Sequence, residues 1–140
     1  EDGLLGIRRA LGLFANVRPI TTHWQLLDAS PLRRDLVEDV DIVIYRELTG
    51  GIYFGGSTTS DDGSTVTDHM TYSVHEIERI VRLAAQAARD RRGHLTSVDK
   101  ANVLAVSRLW RRTNDRIMTD EYPDVNHETQ LCDAMAMNLL

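Results

Sequence analysis

HLTSVDKANVLAVSRLW, residues 94–110, decides the fold. Its first six residues, HLTSVD, read as a strand. Beyond them Val103, Val106, Trp110, Thr113 and Ile117 recur at three- and four-residue steps, the spacing of a helix that ends before Pro123. A strand followed at once by a helix is the building unit of an α/β sheet. The turn between them, carrying Asp99, Lys100 and Asn102, lies where open α/β sheets put their ligands. Lys100 is the only lysine in the chain; all fifteen other basic side chains are arginine. A guanidinium is effectively always charged, whereas an amine can give up its proton when desolvated or placed near other cations.

Working outward, the segment before this unit reads as a helix. Ser73 stands as N-cap with Glu76 at the capping-box position, and Val74, Ile77, Val81, Ala84 and Ala88 form one stripe. Gly93 ends that helix behind an arginine-rich last turn, which suits the helix dipole. After the central unit, NHETQLCDA reads as a last strand running into a helix, AMAMNLL. Farther upstream, the β-branched run from Val40 to Tyr45 predicts a strand buried on both faces. GGIYFGG predicts an aromatic strand or hairpin, and GSTTSDDGSTVTD an exposed hairpin with turn chemistry. SPLRRDLVEDV predicts a short helix with Ser30 as cap and Pro31 in its first turn. Pro19 punctuates the stretch before it. Leu4, Ile7, Leu11 and Phe14 predict an amphipathic helix over about residues 3–14, with Asp2 as N-cap. Alternating helices and strands predict an α/β sheet sandwiched by helices.

The composition bounds function as well as fold. At 140 residues, 42% apolar and 26% charged, the chain is long enough for one ordinary core. A net charge of −5 argues against nucleic acid as the main partner and favours small molecules or proteins bound at local sites. No apolar run approaches the length that crosses a bilayer, and no basic-then-apolar leader opens the sequence. Cys132 is the lone cysteine, so no internal disulfide forms, which fits a reducing compartment such as the cytoplasm. The sequence starts without methionine and stops inside a helical pattern, which predicts a piece of a longer protein.

Several residues have chemistry to offer. Arg8, Arg18 and Arg46 lie near element ends and can each grip a carboxylate through two parallel N–H bonds; the alternative for each is a surface ion pair. Tyr53, in its glycine-bounded segment, can act as a general acid, or simply be a half-buried strand tyrosine. Asp133 can ligate a hard divalent ion or cap the helix that follows. The five histidines show no metal spacing, and Trp24, Trp110, Met135 and Met137 read as core or interface packing. There is no GxGxxG, phosphate-loop, CxxC or HExxH pattern.

Three stretches, LLGIRRALGLFANVRP, RELTGGIYFG and SVDKANVL, followed in order by YPDV and DAMAMNLL, resemble signature segments of the β-decarboxylating dehydrogenases. That family includes isopropylmalate, isocitrate, homoisocitrate and tartrate dehydrogenases. The resemblance covers nearly the whole chain apart from about residues 56–71, and the first stretch is most similar to the members acting on 3-isopropylmalate. It implies a partial α/β fold of that type: residues 1–14 as the end of a first, larger domain and 15–140 as most of a second, dimerisation domain, with a projecting β arm at about 52–72. It implies that Arg8, Arg18 and Arg46 bind the substrate carboxylates, that Tyr53 and Lys100 are catalytic proton carriers, and that Leu4, Leu5 and Val103 hold a branched alkyl group. Two leucines would leave the extra carboxylate of an isocitrate unpaired, which argues against that substrate.

The resemblance further implies that Glu1 and Asn102 lie near the nicotinamide of NAD and that Asp133 binds Mg or Mn. It also implies active sites shared across a homodimer, while the net charge and the lack of a bilayer-length apolar run leave no part for nucleic acid or membrane. The implied activity is oxidative decarboxylation of 3-isopropylmalate to 2-oxoisocaproate in leucine biosynthesis, by a longer enzyme of which this chain is an inactive part. A related 2-hydroxy-acid dehydrogenase of the tartrate or isocitrate type, or a non-catalytic oligomerisation fragment, is the alternative.

Overall fold

A computed structural model of the chain describes residues 2–139, the side chains of Asp2 and Leu5 excepted. In chain order the elements are α1 (Asp2–Ala10), β1 (Ala15–Thr21), a 3₁₀ turn (Trp24–Ala29), α2 (Arg34–Val37), β2 (Asp41–Glu47), β3 (Ser57–Thr59), β4 (Val66–Asp68), α3 (Val74–Arg89), β5 (His94–Asp99), α4 (Ala105–Glu121), β6 (Asn126–Leu131) and α5 (Cys132–Asn138).

The core lies between α3 and α4. Of the stripe expected on α3, Ile77, Val81 and Ala88 are buried, joined by Ile80 and Ala85, against Ile117 and Met118 of α4 and against Val125; Val74 is exposed and Ala84 only half-buried. Burying each large aliphatic side chain stabilises the fold by about 1.5–3 kcal/mol. Ser73 starts α3 with the expected reciprocal cap: its Oγ accepts from the Glu76 N–H at 3.3 Å, and the Glu76 carboxylate accepts from the Ser73 N–H at 2.7 Å. Gly93 closes the far end at φ +66°, donating its N–H to the Ala88 carbonyl at 2.8 Å. Arg82 bridges Glu78 on its own helix and Glu121 on α4, and Arg116 returns to Glu78.

Strands form three separate pairs among the described residues. β5 and β6 run parallel, His94 beside Asn126 through Asp99 beside Leu131. β1 and β2 are antiparallel, Ala15 beside Glu47 through Thr21 beside Asp41, and β3 and β4 form a small hairpin. The expectation of one sheet is therefore corrected: the described residues hold one parallel ladder, one antiparallel ribbon and a hairpin. Pro19, within β1, masks that strand in the sequence. A proline is tolerated there because β1 pairs only with β2 and needs no donor on its outer edge. Nor is β2 buried on both faces; Ile44 is 44% exposed, while Tyr45 and Glu47 turn towards α3.

Two further expectations change. The predicted helix from Ser30 shrinks to Arg34–Val37, because Pro31 holds Ser30 extended and the Ser30 hydroxyl instead accepts from the Leu32 N–H at 3.1 Å. GGIYFGG is neither strand nor hairpin but a run of turns. Gly51 has φ +79°, and a Cβ there would lie 2.5 Å from the Tyr72 hydroxyl, so only glycine fits. The polar excursion is the expected hairpin, and every residue from 56 to 71 is exposed. At its tip, hydrogen bonds from Ser60 and Ser64 hold the Asp62 carboxyl down to about 2. α1 stops at Ala10 rather than continuing to residue 14, and leaves Leu4, Ile7 and Leu11 exposed. No helix among the described residues is long and apolar enough to cross a membrane.

Candidate active site

Alternation along β5 sorts the side chains around the first candidate centre. Ser97 and Asp99 point towards α4, where they meet Trp110 and Arg111; Thr96 and Lys100 point to the other face, where they meet Glu128 and Asp133. The Asp99 carboxylate is 2% exposed and accepts from Arg111 Nη2 and Nε at 2.8 and 2.9 Å and from the Ala101 N–H at 2.8 Å. Arg108 donates to the Ala101 and Val103 carbonyls from the next turn of α4. These bonds fix the turn that presents Lys100, Asn102 and Val103. No local pattern marks the Asp99–Arg111 lock, since its partners are 12 residues apart and join only once α4 packs on β5.

Lys100 Nζ donates to Asp133 Oδ1 at 2.6 Å, from the carboxyl end of β5 to the first turn of α5. The hydrogen bond from Lys100 holds the Asp133 carboxyl below the usual range, and the same bond pushes the Lys100 amine up. This reverses the direction the sequence suggested for Lys100, which was an amine made easier to deprotonate. Asp133 does not cap α5; the cap position is Leu131, which offers no side-chain bond. Asn102 is exposed and Val103 is 62% exposed in the same turn.

The second group sits on the β1–β2 ribbon. Arg18 is paired with Ile44 and Asn16 with Arg46, so both arginines project from one face. Diagonal neighbours of this kind lie about 7–8 Å apart. Arg18 Nε donates to Asn16 Oδ1 at 2.9 Å, and the Arg46 guanidinium lies 4.9 Å from the centre of the Tyr53 ring. Tyr53 is 60% exposed. Behind this face, the fully buried Glu47 carboxylate binds Arg79 at 2.5 Å and the Gly50 N–H at 2.6 Å, anchoring the turn that carries Tyr53. Arg8 lies in the last turn of α1 and Leu4 is exposed on the same helix. Glu1 and the Leu5 side chain lie outside the described residues.

The chain thus joins Lys100 to Asp133 and Arg46 to Tyr53. No hydrogen bond, ion pair or ring contact links these two groups among the described residues. As for a metal, the exposed Asp133 carboxylate is a suitable hard oxygen donor. No cluster of three or more His, Cys, Asp or Glu suited to a metal occurs among the described residues, so this chain offers one ligand and not a complete set.

Comparison with known proteins bears on which enzyme class this arrangement serves. The family described as isocitrate/isopropylmalate dehydrogenase matches residues 1–140. The chain belongs to that family. The 3-isopropylmalate dehydrogenase of Rhodopirellula baltica is 60% identical over 142 residues, a match covering 100% of this chain and 40% of that protein. The 3-isopropylmalate dehydrogenase of Diutina rugosa is 51% identical over 143 residues, again covering 100% of this chain and 40% of the relative. The crystal structure of isocitrate dehydrogenase from Methylococcus capsulatus superposes with a TM-score of 0.85 at 30% identity, over 96% of this chain and 39% of that one. The chain therefore spans about 40% of the length of the family members it matches, and its fold is a partial dehydrogenase fold of this family.

Proposed function

We propose that this chain is part of an NAD-dependent enzyme that oxidatively decarboxylates 3-isopropylmalate to 2-oxoisocaproate, a step of leucine biosynthesis in the cytoplasm. The observation that carries the reading is the placement of Lys100 beside Asp133 at the carboxyl end of the parallel β5–β6 ladder, in a chain 60% identical to a 3-isopropylmalate dehydrogenase. In this reading residues 1–14 close a larger first domain, 15–140 make up most of the second, and the hairpin at about 52–72 is an arm that meets the partner subunit of a homodimer.

Arg18 and Arg46, with Arg8, bind the two carboxylates of the substrate, and paired guanidiniums on one face suit a doubly charged acid. Leu4, Leu5 and Val103 receive the branched tail; Leu4 and Val103 are exposed and available for it. Asn102 and Glu1 would serve the nicotinamide end of the site, and Asp133 would supply one oxygen to Mg or Mn. Bound there, the nicotinamide would supply a hydride acceptor for the carbon bearing the hydroxyl, and the metal ion would supply a Lewis acid for its oxygen. Lys100 takes the hydroxyl proton, the β-carboxylate leaves as carbon dioxide, and Tyr53 returns a proton to the carbon it left. Engaging Asp133 elsewhere would favour Lys100 as a proton acceptor, because the bond to Asp133 pushes the amine up. Across the homodimer, Lys100 and Asp133 serve the neighbouring subunit's arginines.

The test is a substrate panel on the full-length protein. The kcat/KM for 3-isopropylmalate should exceed those for isocitrate and tartrate by about 10²-fold or more, the discrimination expected when an extra charge would be left unpaired. Equal or higher efficiency with isocitrate or tartrate would reassign the substrate.

A further inference from the structure

Lys100, Asn102 and Val103 stand in a turn that holds itself by little. The Val103 and Leu104 N–H groups both donate to the Lys100 carbonyl, at 3.0 and 2.9 Å. Leu104 is the N-cap of α4 and offers no side-chain bond, so the usual local lock at the start of a helix is missing. The lock comes instead from α4, where Arg108 and Arg111 lie three residues apart on one face. Arg111 grips the near end of the turn. Its Nη2 and Nε donate to the two oxygens of the buried Asp99 carboxylate at 2.8 and 2.9 Å, and Asp99 in turn accepts from the Ala101 N–H at 2.8 Å. Arg108 grips the far end, its Nη1 donating to the Ala101 and Val103 carbonyls, both at 3.3 Å. Trp110, between the two arginines, seats α4 on β5 by donating from Nε1 to the buried Ser97 hydroxyl at 3.3 Å.

We propose that Arg111 and Arg108 are positioning residues with separate tasks: Arg111 sets where the Lys100 amine stands, and Arg108 sets where the Val103 side chain stands. This rests on the function proposed above, in which Lys100 takes the hydroxyl proton and Val103 receives the branched tail. Lys100 is flanked by Asp99 and Ala101, and one carboxylate, held by Arg111, fixes both neighbours. The two parallel bonds fix the plane of that carboxylate, which a single point contact does not do. Val103 is 62% exposed, so little packing directs its side chain; the Arg108 bond to its carbonyl fixes the backbone that aims it. Both arginines act through the turn's backbone, one at each end. Loss of either therefore moves a different group: the proton carrier in one case, the wall of the tail pocket in the other.

The test uses variants of the full-length protein. Arg111→Lys keeps the charge beside Asp99 and gives up the fork, whereas Arg111→Ala gives up both. With 3-isopropylmalate, kcat should fall about 10²-fold in Arg111→Ala, the penalty of about 1 Å of misplacement, with KM little changed. Arg111→Lys should recover part of the loss. Arg108→Ala should instead act through KM, narrowing the preference for 3-isopropylmalate over malate, the same acid without its tail, by about tenfold, in the range a hydrophobic pocket contact contributes. Amide exchange is followed in the same variants without substrate. It should quicken from Ala101 to Leu104 and stay as it was along α3. If Arg111→Ala does not fold, Arg111→Lys and Asp99→Asn carry the comparison. The inference is overturned by exchange that quickens throughout or nowhere, by the same kinetic signature from both arginines, or by full kcat in an Arg111 variant whose turn has loosened. No turnover of 3-isopropylmalate by the unaltered protein would sink the proposed function instead, and the exchange pattern would still decide whether the arginines hold the turn.

Discussion

Lys100 and Asp133 set each other's charge across the mouth of the β5–β6 ladder. The amine's value is raised from 10.5, so the pair's stabilisation is fully present below 10.5 and is lost as pH rises through the raised value. The carboxyl is lowered from 3.8, so the same stabilisation is present above 3.8 and is lost as pH falls through the lowered value. Asp133→Asn removes the charge that holds the proton. The expected outcome is faster acylation of Lys100 by an amine-directed reagent at any fixed pH below its midpoint, with the midpoint displaced downward. Because no other lysine competes, peptide mass analysis reads this one site. Unchanged reactivity would mean the pair does not persist in solution. The position of Lys100 was legible in the sequence, since a lone amine directly after a strand stands out. The direction of its shift was not, because it depends on a carboxylate 33 residues away.

Elements with a strong local signal are legible in the sequence. α3 is marked by Ser73, Glu76 and a long stripe, and its reciprocal cap is present. Ser73→Ala should lower the stability of the chain by about 1 kcal/mol, measured by urea denaturation, and Ser73→Asp should restore most of it. β5 occupies His94–Asp99, the six residues the sequence marked. Short elements lacked such signals. β1 was hidden by Pro19, whose missing donor matters only for an inner strand. The apolar run of β2 predicted two buried faces, and a run of that length cannot report which edges and faces its neighbours occupy. The aromatic residues around Tyr53 predict a strand or hairpin, yet Gly51 and the Tyr72 ring enforce a turn.

At the scale of the molecule, the described surface is incomplete in a consistent way. α1 and the turn after it expose Leu4, Ile7 and Leu11, and the β3–β4 hairpin is exposed along its whole length. Among the described residues no group of three or more His, Cys, Asp or Glu is placed to hold a metal ion. The purified 140-residue chain should therefore show no reduction of NAD with 3-isopropylmalate, followed by absorbance of the reduced nicotinamide. Measurable turnover would mean that the residues described here suffice. One consequence follows from the single lysine. A protease specific for lysine has one bond to cut, between residues 100 and 101, and the cut would release α4, β6 and α5 as a separate piece. That bond sits in a turn clamped by Asp99, Arg111 and Arg108, with Ala101 only 8% exposed. The molecule thus carries its own gauge of loosening: nicking at this one place proceeds only as fast as the clamp lets go.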